Sequence, residues 1–99
     1  MQKIALIPSY EPDYKLKDLV IELNQNDFEV IVVNDGSNKK YNKIFDSIKD
    51  ISKVLGYVDN KWKGYALKYG LNYIKEEFSD YVVVTLDSDG QHSVKDAIK

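Results

Sequence analysis

Four short apolar runs, separated by stretches whose apolar residues recur at helical spacing, constrain this chain more than any other feature. Residues 3–7, 30–33, 54–57 and 81–86 are too short for helices, and they are rich in β-branched side chains. The runs at 30–33 and 81–86 are apolar throughout, as strands are when a sheet is covered on both faces. Between the runs, 14–26 carries Leu16, Leu19, Val20 and Leu23 on one stripe. The stretch 42–50 does the same with Ile44, Phe45 and Ile48, and 61–78 with Ala66, Leu67, Gly70, Leu71, Ile74 and Phe78. Asp13 and Asn60 stand where helix caps belong, and Ser93 looks like the cap of one further helix.

The order is therefore β-α-β-α-β-α-β. Helices between successive strands imply parallel pairing and right-handed crossovers. The expected fold is a three-layer, Rossmann-like α/β sandwich with a mainly parallel sheet, formed as one domain from 99 residues. No linker, internal repeat or low-complexity stretch interrupts it.

Composition excludes several classes. The net charge of −2 gives no electrostatic footprint for nucleic acid. With no cysteine there is no disulfide framework and no thiolate metal site. The amino terminus lacks a secretory leader pattern, and no run is long enough to span a bilayer, so a soluble, cytoplasmic chain is expected. All 14 basic residues are lysine. With the many Asn, Ile and Tyr residues, this suggests an AT-rich bacterial genome. It also means that a bound phosphate must be met by lysine, backbone N–H groups or a metal, because no bidentate arginine is available.

In sheets of this kind ligands bind beyond the carboxyl ends of the strands. Three polar segments fall there: Pro8-Ser9-Tyr10-Glu11, Asn34-Asp35-Gly36-Ser37 and Asp87-Ser88-Asp89-Gly90. Asp87 and Asp89 are two apart, which in extended chain puts them on one side, roughly 6.5–7 Å apart. Such a pair suits a hard cation, Mg²⁺ or Mn²⁺, that would screen a diphosphate. A helix cap and turn is the plainer account of the same residues. A calcium loop is a further alternative, although Gly90 at its sixth position would put Thr85 at its first and a strand in front. Asp35 is placed to accept hydrogen bonds from a base or ribose, or else simply closes an Asx-turn. Tyr10 offers a stacking face for a nucleobase, or packs on the first helix. Lys63, in Asn60-Lys61-Trp62-Lys63-Gly64, lies at a helix start where phosphates bind, or is a solvated lysine. His92 could touch phosphate or metal, or neither.

Taken in order, Ile7 to Glu11, Val32 to Ser37, Asn60 to Gly64 with Ala66 and Gly70, and Thr85 to His92 resemble the signature of family 2 glycosyltransferases over essentially the whole chain. The last segment is most similar to the branch that contains polyprenyl-phosphate mannosyl- and glucosyltransferases. The resemblance implies the A-type glycosyltransferase fold and a nucleotide-diphosphate sugar as donor. Tyr10 and Asp35 would contact the base, with Pro8 and Glu11 beside that pocket. Asp87 would reach the ribose or the metal, Ser88 would lie with it, Asp89 would hold the metal, and Lys63 would lie near the nucleotide. Trp62 stands where the family usually has glycine, and Ser88 where alanine is common.

The family continues past the point where these 99 residues end. The resemblance thus implies the donor-binding amino-terminal part, without the acceptor-binding part or the catalytic base. On that reading the whole protein transfers a hexose to an acceptor such as polyprenyl phosphate, at the cytoplasmic face of a membrane. The isolated chain would be inactive and would self-associate through an uncovered sheet edge. Two rivals share the fold: a sugar-phosphate nucleotidyltransferase, and a non-catalytic interaction module with a decayed site. The former normally carries a glycine-rich, arginine-bearing loop after the first strand, which residues 9–13 do not form.

Overall fold

The computed structural model describes residues 1–88. It contains β1 (Gln2–Ser9), α1 (Lys15–Gln25), β2 (Phe28–Asp35), α2 (Asn42–Asp46), β3 (Lys53–Tyr57), α3 (Trp62–Glu77) and β4 (Tyr81–Thr85), with one 3₁₀ turn at Lys39–Tyr41. All strand pairs are parallel, and the order across the sheet is β3-β2-β1-β4. The expected α/β sandwich is therefore the observed one. Successive side chains of a strand face opposite ways. Ala5, Ile7, Val30 and Val32 face α1 and the α2 segment, meeting Leu16, Leu19, Val20, Leu23, Ile44, Phe45 and Ile48. Ile4, Leu6, Ile31 and Val33 face α3, meeting Ala66 and Ile74. Helix, sheet and helix make three layers.

β1 runs beyond residue 7 and takes in Pro8. Gln2 donates to Asp80 and Leu6 accepts from Leu86, so the even-numbered residues of β1 turn their peptide groups toward β4. Pairing with β4 ends at Leu6–Thr85. The N–H that proline lacks would therefore point past the end of the ladder, where none is required.

Several local expectations are corrected. The second helix does not extend to residue 50 but stops at Asp46. Ser47 and Ser52 hydroxyls donate to the carbonyls of Ile44 and Ile48, and the chain between them tightens into turns that still bury Ile48. Asn60 does not cap the third helix. Lys61 holds the cap position without a side-chain bond, and the Asn60 amide is committed elsewhere. Leu71 lies on the outer face of α3 and is exposed, and β4, an outer strand, leaves Val82 45% exposed instead of covered on both sides. The cap position of α1 is likewise held by Tyr14, without a side-chain cap bond, and not by Asp13, whose carboxylate still accepts the Lys15 N–H at 2.8 Å. Among the described residues no helix is long and apolar enough to cross a membrane.

Candidate functional site

Because every strand is parallel, the segments after β1, β2, β3 and β4 gather on one edge of the sheet. Asp35, the last residue of β2, is almost wholly buried at 3% exposure. Its Oδ1 accepts the Tyr57 hydroxyl at 2.6 Å and the Lys61 N–H at 2.9 Å. Its Oδ2 accepts the Asn60 amide at 3.0 Å, and the same amide reaches the Asp35 carbonyl at 2.9 Å. A carboxylate has about four acceptor positions, so these three bonds nearly fill it. Asp35 thus ties together the end of β3, the following loop and the start of α3.

Gly36 makes that closure possible. It has φ 67°, and a Cβ there would lie 2.1 Å from the Asn60 nitrogen and 2.3 Å from the Asp59 carbonyl carbon. The loop can lie this close only against a residue without a side chain. Beyond Gly36, the Ser37 N–H donates to Asn34 Oδ1 at 3.0 Å, and Ser37 Oγ accepts the Glu11 N–H at 2.8 Å. Glu11, at φ 48°, is held in the left-handed region by this latch between the β1 and β2 loops. A cavity of about 600 Å³ opens over the latch, with Tyr10, Glu11, Gly36, Ser37 and Tyr57 in its wall. Tyr10 is 52% exposed there, so it does not pack away on α1.

Asp87 follows β4 on the same edge. Lys63, in the first turn of α3, places Nζ 2.7 Å from Asp87 Oδ1. The amino-terminal turn of α3 therefore reaches the Asp35 carboxylate through Lys61 and the Asp87 carboxylate through Lys63. Pro8 and Ser88 are half-buried beside these groups. Asp89, His92 and Ser93 lie outside the described residues. Among the described residues no group of three or more His, Asp or Glu side chains is disposed to hold a metal.

The Tyr57 hydroxyl is raised well above its ordinary value. Burial is the largest cause, followed by its hydrogen bond to Asp35 and the negative charge of that carboxylate, with smaller contributions from Tyr65 and Tyr69. It stays protonated at neutral pH and acts as a donor to Asp35. Among the described residues one buried polar atom stands apart: Ser9 Oγ, at the end of β1, has no hydrogen-bond partner there.

The structure thus brings Tyr10 and Glu11 into one cavity wall, with Asp35 fixing the Tyr57 side of it, and it pairs Lys63 with Asp87. Sequence reasoning missed Tyr57 and the real work of Asn60. Tyr57 ends a strand at the carboxyl edge, and that position was the available signal.

Comparison with known proteins gives the family and the fold. The glycosyl transferase family 2 model matches residues 6–99. No curated protein matches. Among solved structures, the crystal structure of TarS from S. aureus matches with a TM-score of 0.69 at 22% identity. The match covers 99% of this chain and 19% of the TarS chain, so this chain spans about a fifth of that protein's length. At such identity the likeness speaks for the fold, and the family is carried by the sequence model: the chain belongs to glycosyl transferase family 2.

Proposed function

We propose that the carboxyl edge of the sheet binds the nucleotide-diphosphate sugar of a metal-dependent glycosyltransferase. The observation that carries this reading is the first turn of α3, which engages Asp35 and Asp87 together at the edge where sheets of this class bind ligands. Tyr10 takes the base at the open cavity, and Asp35 shapes that wall while keeping about one acceptor position on Oδ2 for the base or ribose. Asp87 faces the ribose and the diphosphate. Its carboxylate is paired with the Lys63 ammonium, so a metal there would enter as that ammonium turns to the diphosphate. Asp87 and Asp89 are the residues that would hold Mg²⁺ or Mn²⁺, whose bound charge neutralises the leaving diphosphate. Lys63 supplies a second positive charge for that group, in a chain that has no arginine.

The acceptor in this proposal is a polyprenyl phosphate, met at the cytoplasmic face of a membrane, and the transferred group is a hexose. Calorimetric titration of UDP and GDP with Mg²⁺ or Mn²⁺ tests the donor side. Wild type should bind one of them more tightly with metal than without, and Asp89→Ala should lose at least about tenfold in that metal-assisted affinity. Equal affinity for the two proteins would remove Asp89 from the site. A sugar-transfer assay with polyprenyl phosphate against simple sugars tests the acceptor.

A further inference from the structure

Trp62 opens α3 with φ 75°, and its side chain is 78% exposed. The left-handed region is disfavoured for any residue with a Cβ, and a bulky side chain there is an outlier. Packing does not compensate, since most of the indole remains in water. Both neighbours of Trp62 are anchored to the site: Lys61 donates its N–H to Asp35 Oδ1 at 2.9 Å, and Lys63 meets Asp87 Oδ1 at 2.7 Å. Residue 62 therefore sits between the links to the two carboxylates, at the carboxyl edge. The other exposed aromatics of α3 are engaged with protein: Tyr65 and Tyr69 stack on each other at 6.4 Å, and each meets Tyr57 edge-on. Strained, exposed residues in such places commonly serve a ligand.

We propose that Trp62 is a nucleotide-contacting residue whose indole gives the base of a bound nucleoside diphosphate a stacking face. The indole carries no charge and has only its Nε1–H to donate to a phosphate, whereas its face matches the π-face that every nucleobase presents. Trp62 thus adds affinity for the nucleoside without choosing the base. The inference rests on the donor-binding reading above, and its test separates the two.

Trp62 is the single tryptophan of the chain, so selectively excited tryptophan emission reports on it alone. UDP and GDP with Mg²⁺ should quench that emission, while pyrophosphate with Mg²⁺, which has no base, should not. By calorimetry, Trp62→Phe should bind nucleoside diphosphate within about threefold of wild type, and Trp62→Gly about tenfold more weakly, with pyrophosphate affinity unchanged. Trp62→Gly should also melt at a higher temperature, because glycine adopts this backbone without strain. A weaker ligand response then does not come from unfolding. If wild type and Trp62→Gly bind UDP or GDP equally and emission stays constant, the stacking role is overturned and the donor reading stands. If wild type binds neither nucleotide, both are overturned.

Discussion

Gly36 is the residue at which fold and site depend on a single hydrogen atom. The three atoms a methyl group would strike belong to the backbone of Asp59 and Asn60, and they cannot move aside without disturbing the bonds from Asn60 and Lys61 to Asp35. Gly36→Ala should cost about 2–4 kcal/mol in urea unfolding and abolish nucleotide binding. Tyr57→Phe acts on the same carboxylate from the other side. It leaves a buried acceptor short of one donor and should cost about 1–3 kcal/mol at neutral pH. Its pH dependence has a definite sign. Since the Tyr57 hydroxyl is raised above 10.0, the folded state holds that proton more tightly than the unfolded state. The resulting stability is complete below the unfolded value and is lost as pH rises from there toward the raised one. Wild type should therefore lose stability on entering that alkaline range, and Tyr57→Phe should lack that component in melts across the same pH series. The Asn-Asp-Gly-Ser turn was legible because its residue types are those a strand end of this shape needs. Asn60 was misread because the amide that would cap a helix serves equally well to hold a carboxylate. The one signal that Trp62 is left-handed is the glycine that the family usually has at its place, since its own bulk argues for the opposite.

Among the elements, α3 lies close against the sheet at Gly70. A Cβ at this position would lie 2.3 Å from Leu6 Cδ1 and 3.1 Å from Val33 Cγ2, both on fully buried side chains. Gly70→Ala should lift the helix and cost about 1–3 kcal/mol by thermal or urea melting. Leu6→Val removes the offending Cδ1, so the double variant should recover part of the loss, giving a coupling of about 0.5 kcal/mol or more in a double-mutant cycle. The helices themselves were legible from their apolar stripes, and Ile74 and Ala66 fall where the stripe puts them. Their extents were less so. In the α2 segment the pattern continues to Ile48 while the helical bonds do not, because a stripe records which residues face the core and says nothing of which carbonyl each N–H chooses. Leu71 shows the same limit from the other side: it follows the buried Gly70 by one residue, and that step of about 100° around the helix carries it into water.

For the whole molecule, alternation dictated a parallel sheet but not the order of its strands. Periodicity describes each strand's own faces and is silent on its neighbours, so the outer position of β4, and with it the exposure of Val82, became visible only in three dimensions. The gathering of three acidic segments on one edge was legible, because in a parallel sheet every strand ends on the same side. The linkage of two of them through α3 was not, since it depends on long-range contacts between residues 24 to 26 positions apart in the chain. That linkage has a kinetic consequence. The Lys61 side chain stands in solvent, yet its amide hydrogen is held by a carboxylate at the end of the central strand β2. In heavy water that hydrogen should be retained as long as those of the interior strands, not released at the rate of a surface loop. An incoming ligand would then meet an edge already frozen into place, and little of its binding enthalpy would be spent on ordering the protein.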